Sequence, residues 1–128
     1  MAGVLVLSAD LLFGSQVQGA LVAAGNAVEL VGGVDQAAER LRRADREAPD
    51  VVLVDMTDAA LDGGGALERL RADGLLGRSR AMCFYSHVDS EAKARAEAAG
   101  FDLIVPRSRM AREGAELIAR LVSEPLGG

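Results

Sequence analysis

Val51-Val52-Leu53-Val54-Asp55 is four consecutive apolar residues, three of them β-branched, following Pro49-Asp50 and ending on a carboxylate. A run with no polar alternation reads as a strand buried on both faces, the kind found in the middle of a parallel sheet. Open α/β sheets place their ligands and chemistry at the carboxyl ends of such strands. Asp55 therefore marks the edge where function is to be sought.

The rest of the chain alternates strands with helices. Val4 to Ser8 is a short strand, Asp10 stands where a helix is capped, and Val17, Ala20, Leu21 and Ala24 recur at helical spacing up to a stop at Gly25. Ala27 to Val31 is a second strand and Gly32-Gly33 a turn. Asp35 is expected to cap a helix whose apolar face is Ala37, Ala38, Leu41, Ala44 and Ala48. After the central strand, Met56 to Gly65 reads as a loop whose glycines permit tight or left-handed turns before a helix from about Ala66 to Ala72. Arg80 to Ser86 is the fourth strand. Ser90 is expected to cap an alanine-rich helix that halts at Gly100. Asp102 to Val105 is the fifth strand, and Met110, Gly114, Leu117, Ile118, Leu121 and Val122 mark one side of a last helix before Pro125. The alternation predicts an α/β three-layer sandwich: a five-stranded parallel sheet in the flavodoxin-like order 2-1-3-4-5, with five helices on its two faces. That order brings Ser8, Ala9, Asp10 and Asp55 together at the switch point.

Length and composition narrow the function classes. At 128 residues the chain is expected to form a single domain, and half of it is apolar. The net charge of −5 argues against nucleic-acid binding, since no basic face offsets phosphate repulsion. No apolar run is long enough to cross a bilayer, so no membrane partner is expected. One cysteine, Cys83, excludes an internal disulfide, and Met1-Ala2-Gly3 runs into a strand without a signal-peptide pattern. Both suit a cytoplasmic location. Thirteen arginines to one lysine reflect base-composition bias rather than function.

Over essentially its whole length the chain resembles the receiver domains of two-component response regulators (CheY-like). Asp55 followed by Leu61-Asp62-Gly63 is similar to the family's aspartate and its Met-Asp-Gly turn; Ser86 stands where the family has Ser or Thr; Ala98-Ala99-Gly100-Phe101-Asp102 looks like the run before strand five. The resemblance implies that Asp55 is a candidate phosphoacceptor. It further implies that Mg2+ is held by the aspartate and an acidic pair after strand one, that a lysine after strand five contacts the phosphoryl group, and that Ser86 is a switch hydroxyl. Attack by a carboxylate on an anionic phosphoryl group needs such screening by cations.

Several of those parts are absent. The acidic-pair positions fall on Ser8 and Ala9, the lysine position on Arg107, the strand-five aromatic on Ile104, and the proline after the aspartate on Ala59, while Pro106 precedes rather than follows the basic residue. Arginine is a planar fork where lysine is a compact ammonium. Asp10 lies one position late for the pair and reads more naturally as a helix cap.

Each singled-out residue carries a structural alternative. Asp55 is read as an inherited carboxylate, paired with Arg107 or capping a helix, ahead of a phosphoacceptor. Ser86 is a strand-end serine bonded to nearby backbone, and Arg107, with Arg109 and Arg112, either recruits an anion at a helix start or pairs with Glu113 and Glu116. His87 adjoins the same edge, but a lone histidine is more often a surface side chain than a metal ligand, and Cys83 reads as a small core residue. No metal site is expected; Asp10, Asp55 and Asp58 are the weak candidates.

Three functions follow. The leading one is a stand-alone pseudo-receiver that signals through a protein partner or self-association by way of helix four, strand five and helix five, without enzymatic activity, cofactor or ordinary Mg2+-dependent phosphorylation. The alternative is a divergent receiver phosphorylated on Asp55 in a phosphorelay, with Asp10 and Asp58 replacing the pair and Mg2+ as cofactor. The third is a small-ligand binder on a flavodoxin-like scaffold. For that one, Ala9 to Gly14 is not the Ser/Thr-rich loop that holds flavin mononucleotide, and no Asp-x-His-x-x-Gly cobalamin signature occurs. The chain stops after its last helix, so output is expected to pass through a partner.

Overall fold

The computed structural model describes residues 2–43 and 47–124. Among them strands and helices alternate as β1 (Gly3–Leu7), α1 (Leu11–Ala23), β2 (Ala27–Val31), α2 (Val34–Arg42), β3 (Val51–Asp55), α3 (Gly63–Ala72), β4 (Arg80–Tyr85), α4 (Ser90–Ala99), β5 (Leu103–Pro106) and α5 (Arg107–Ser123). Every strand pairing is parallel, and the sheet order is β2-β1-β3-β4-β5. Both agree with the expected order, one of the few that right-handed crossovers allow a run of βα units.

The sheet is the middle of three layers because successive side chains of a strand point to opposite faces. Val52 and Val54 join Leu5, Leu7, Ala81 and Cys83 beneath α2, α3 and α4. Val51 and Leu53 join Val4, Val6, Met82 and Phe84 beneath α1 and α5. All five residues of β3 are buried, as the unbroken apolar run requires. No helix among the described residues is long and apolar enough to cross a membrane.

Several local expectations hold and others shift. Asp10 caps α1, its carboxylate accepting from the Phe13 amide at 3.1 Å. Gly100 ends α4 in the left-handed region at φ +80°, where a Cβ would be strained. Asp35, expected as a cap, lies inside the first turn of α2; Gly33 is the cap residue, and the Asp35 carboxylate pairs instead with Arg69 of α3. Asp89, not Ser90, caps α4 by accepting from the Ala92 amide at 3.0 Å. Asp102 precedes β5, and its carboxylate accepts from the Ala81 amide at 2.7 Å, tying β4 to the loop before β5. α2 ends at Arg42, so Ala48 lies beyond it and is exposed, while Ala44 and Pro125 fall outside the described residues.

The glycines after β3 do something other than turn the chain. α3 begins at Gly63 rather than Ala66, and Gly63, Gly64 and Gly65 all have negative φ. A Cβ on Gly63 would sit 2.7 Å from Met56 Cγ and 2.9 Å from Val54 Cγ1. Close approach of the helix start to β3 is what requires glycine there.

Candidate functional site

The site is built where β1 and β3 end side by side. Leu7 pairs with Val54, which leaves Ser8 and Asp55 as neighbours one step further along. Both are completely buried. The Ser8 hydroxyl donates to Asp55 Oδ2 at 2.7 Å and accepts from the Asp10 amide at 3.2 Å. On the other carboxylate oxygen, the Thr57 amide donates to Asp55 Oδ1 at 2.8 Å and the Thr57 hydroxyl at 2.6 Å.

Asp55 is thus a closed unit of three donors on two oxygens. Charge-assisted hydrogen bonds of this sort offset the cost of burying a carboxylate. Thr57 is a partner that the sequence reading passed over, although Asp-x-Thr is a spacing at which a side chain bonds backbone two residues on. Gly14 is another: a Cβ there would come 3.3 Å from Ser8 Oγ and 3.0 Å from Leu30 Cδ1, so its absence lets α1 close over the end of β1.

Arg107 does not pair with Asp55, and Asp55 does not cap a helix. The Arg107 guanidinium lies 3.8 Å over the ring of Phe13, which in turn meets Phe84 edge-on at 5.3 Å between centroids. Phe84 is the β4 partner of Asp55 in the sheet register. The basic residue after β5 therefore reaches α1 and is held by a ring instead of a carboxylate. Arg109 Nε pairs with Glu113 at 3.2 Å and Arg112 lies 3.8 Å from the same carboxylate, so Glu113 and not Glu116 is their partner.

The remaining candidates are dispersed. Ala9, at the second acidic-pair position, is half-buried. Asp10 serves the α1 cap, and Asp58 Oδ1 accepts from the Ala60 amide at 2.8 Å within its own turn. Ser86 is half-buried just past β4, its carbonyl accepting from the Asp89 amide at 2.8 Å, and His87 is exposed. No three His, Cys, Asp or Glu side chains converge on one point among the described residues. Cys83 is a buried free thiol in the core under α2, α3 and α4, and burial pushes it up to about 12. The cleft at this edge is lined by Met56, Thr57, Asp58, Asp62, Asp89 and Arg95, without Asp55 in its wall.

The fold and this edge define a class. The chain is similar to the receiver domain of the Francisella response regulator 1452 (TM-score 0.78, 17% identity, 95% of this chain and 97% of that one). It is likewise similar to the chemotaxis response regulator CheY4 of Vibrio cholerae (0.78, 18%, 94% and 98%). A two-component response regulator from Legionella pneumophila gives the same picture (0.77, 19%, 97% and 100%). At such identities the likeness is one of fold: the chain has the CheY-like receiver fold along nearly its whole length. No family model and no curated protein matches the sequence.

Proposed function

We propose that this chain is a receiver-like signalling module that works through protein contacts and without phosphorylation of Asp55. The observation that carries the reading is the burial of Asp55 with both oxygens hydrogen-bonded, Oδ2 by Ser8 and Oδ1 by Thr57. A phosphoryl donor has to reach a free carboxylate oxygen along the line of attack. Here that approach requires removing a donor from a buried anion, a step that exposes an uncompensated charge.

Mg2+, which the receiver fold implies, does not fit these residues. Its octahedral shell is built from carboxylate and water oxygens. The acidic-pair positions hold a hydroxyl already committed to Asp55 and a methyl group, at Ser8 and Ala9. The other nearby carboxylates, Asp10 and Asp58, cap their own turns. Because the pair positions offer a committed hydroxyl and a methyl group instead of carboxylates, the module is read as a non-enzymatic element without cofactor.

Output is assigned to the face of α4, β5 and α5, where Arg109, Glu113 and Arg120 present mixed charge to a protein partner. The deciding experiment is incubation with acetyl phosphate or beryllofluoride at millimolar Mg2+, followed by intact mass and amide chemical shifts, with Asp55→Asn as control. The expected result is no mass gain and no shifts centred on Asp55. A gain of one phosphoryl group that Asp55→Asn abolishes would make the chain a working receiver instead.

A further inference from the structure

β2 is an edge of the sheet, hydrogen-bonded among the described residues to β1 and to no other strand. In a parallel ladder the residues of a strand turn their N–H and C=O alternately to one side and the other. The Ala27 amide donates to the Ala2 carbonyl and the Val31 carbonyl accepts from the Ser8 amide, so Ala27, Glu29 and Val31 face β1. Val28, Leu30 and, in step with them, Gly32 turn their backbone groups outward.

An open edge of this kind is a template for a further strand unless something blunts it. The opposite edge, β5, is four residues long and ends on Pro106, which has no N–H to offer. β2 has neither feature. Its one charge, Glu29, is paired with Arg40 at 2.7 Å. Beside it, Leu11 and Val22 are 63% and 50% exposed on the flank of α1 that Gln18 turns toward β2, since the three recur at helical spacing.

Two glutamines cover this edge at its ends. Gln18 Nε2 donates to the Val28 carbonyl at 3.2 Å, and Gln36 Oε1 accepts from the Gly32 amide at 2.7 Å. Between them the Leu30 N–H and C=O have no partner among the described residues. The two covered groups are complementary to each other. When two β2 strands pair antiparallel about a two-fold axis at Leu30, Leu30 meets its own copy and Val28 meets Gly32, each pair exchanging N–H···O=C bonds. The Val28 carbonyl and the Gly32 amide are then each other's partners across the axis.

We infer that Gln18 and Gln36 are guards that close β2 against strand addition by a second copy of the chain. Each satisfies, from within the chain, one of the two groups that the second copy's β2 needs. A glutamine amide suits both ends because it carries a donor and an acceptor without a charge. With the guards in place only Leu30 is open, too short a stretch to pair as a strand. Without them, Val28, Leu30 and Gly32 form a continuous ladder with their copies, and Leu11 and Val22 lie beside the junction to be buried with it. The inference stands whichever way Asp55 behaves.

The test is sedimentation equilibrium of the full chain from about 1 μM to about 1 mM, on wild type, Gln36→Ala and the double variant Gln18→Ala/Gln36→Ala, with Gln16→Ala as control. Gln16 is exposed on the other flank of α1, at the groove with α5. Circular dichroism checks that each variant is folded, and hydrogen exchange at the Leu30 amide, followed by NMR over the same range, reports whether β2 itself is paired. In wild type and Gln16→Ala that amide is expected to exchange at one rate at every concentration. The double variant is expected to associate and to slow the exchange about tenfold or more as concentration rises. Should the double variant not fold, Gln36→Ala, at an exposed position of α2, decides alone by the same two readings. A guard variant that stays monomeric to the highest concentration, or associates without slowing Leu30, overturns the inference. So does a wild type whose Leu30 amide becomes protected at high concentration.

Discussion

The guanidinium of Arg107 lies 3.8 Å over the ring of Phe13 and leaves Asp55 to Ser8 and Thr57. The stability cost of removing it follows from that partner. Arg107→Ala is expected to destabilise by about 0.5–1 kcal/mol, the worth of an exposed cation–π contact. Loss of a cation from a buried ion pair would cost about 3–5 kcal/mol instead. Urea unfolding of wild type and variant separates the two, and the larger value would refute the pairing with Phe13.

Ser8 is the donor whose loss Asp55 should feel most. Ser8→Ala leaves Oδ2 buried without its hydrogen bond and is expected to cost about 1–3 kcal/mol. Ser8 and Asp55 touch, so the double variant Ser8→Ala/Asp55→Ala should be more stable than the sum of the single changes allows. Strict additivity in a double-mutant cycle would mean that the hydroxyl contributes nothing to the carboxylate.

Ser8→Asp tests what the missing acidic pair would do. A second carboxylate in hydrogen-bond reach of a buried one is strongly unfavourable unless one of them is protonated or a cation lies between them. The variant is expected to melt well below wild type in metal-free buffer and to regain part of the loss in millimolar Mg2+, while wild type responds to neither. Melting curves with and without the ion read this directly; equal Mg2+ responses in both proteins would contradict it.

Cys83 gives a pH dependence with a definite sign. Its thiol is pushed from 9.0 up to about 12 by burial. Above pH 9 the unfolded chain then releases a proton that the native state keeps, so stability is full below that pH and falls as pH rises toward the folded value. Cys83→Ala should flatten this decline relative to wild type between pH 9 and the upper limit of folding. In the native protein at pH 8 a thiol reagent should modify Cys83 only at the rate of unfolding. Fast labelling would show that the side chain is reachable.

Much of the fold was legible because it rests on patterns that repeat along the chain. Apolar runs, helical spacing and stops at Gly25 and Gly100 locate the elements, and five βα units leave few ways to order a parallel sheet. Local chemistry was legible only in part. Asp10 caps its helix as its position suggests, but Asp89 and Ser90 are adjacent residues equally able to cap by type, and it is Asp89 whose carboxylate meets a free amide, that of Ala92. The glycines of the β3–α3 connection signal a turn from sequence, whereas Met56 and Val54 make Gly63 a matter of clearance.

The sequence by itself determined the layer to which each apolar residue goes, the order of the strands and the edge on which Asp55 stands. These depend on periodicity and on the handedness of short connections, both of which are local. Only the tertiary structure decided what Asp55 and Arg107 touch. Ser8 reaches Asp55 across 47 residues of chain, and Arg107 finds Phe13 from another element, because sheet register and helix packing set which side chains come within 4 Å. A hydrogen bond or a cation–π contact depends on tenths of an ångström and on direction, and neither is encoded in the spacing of residue types.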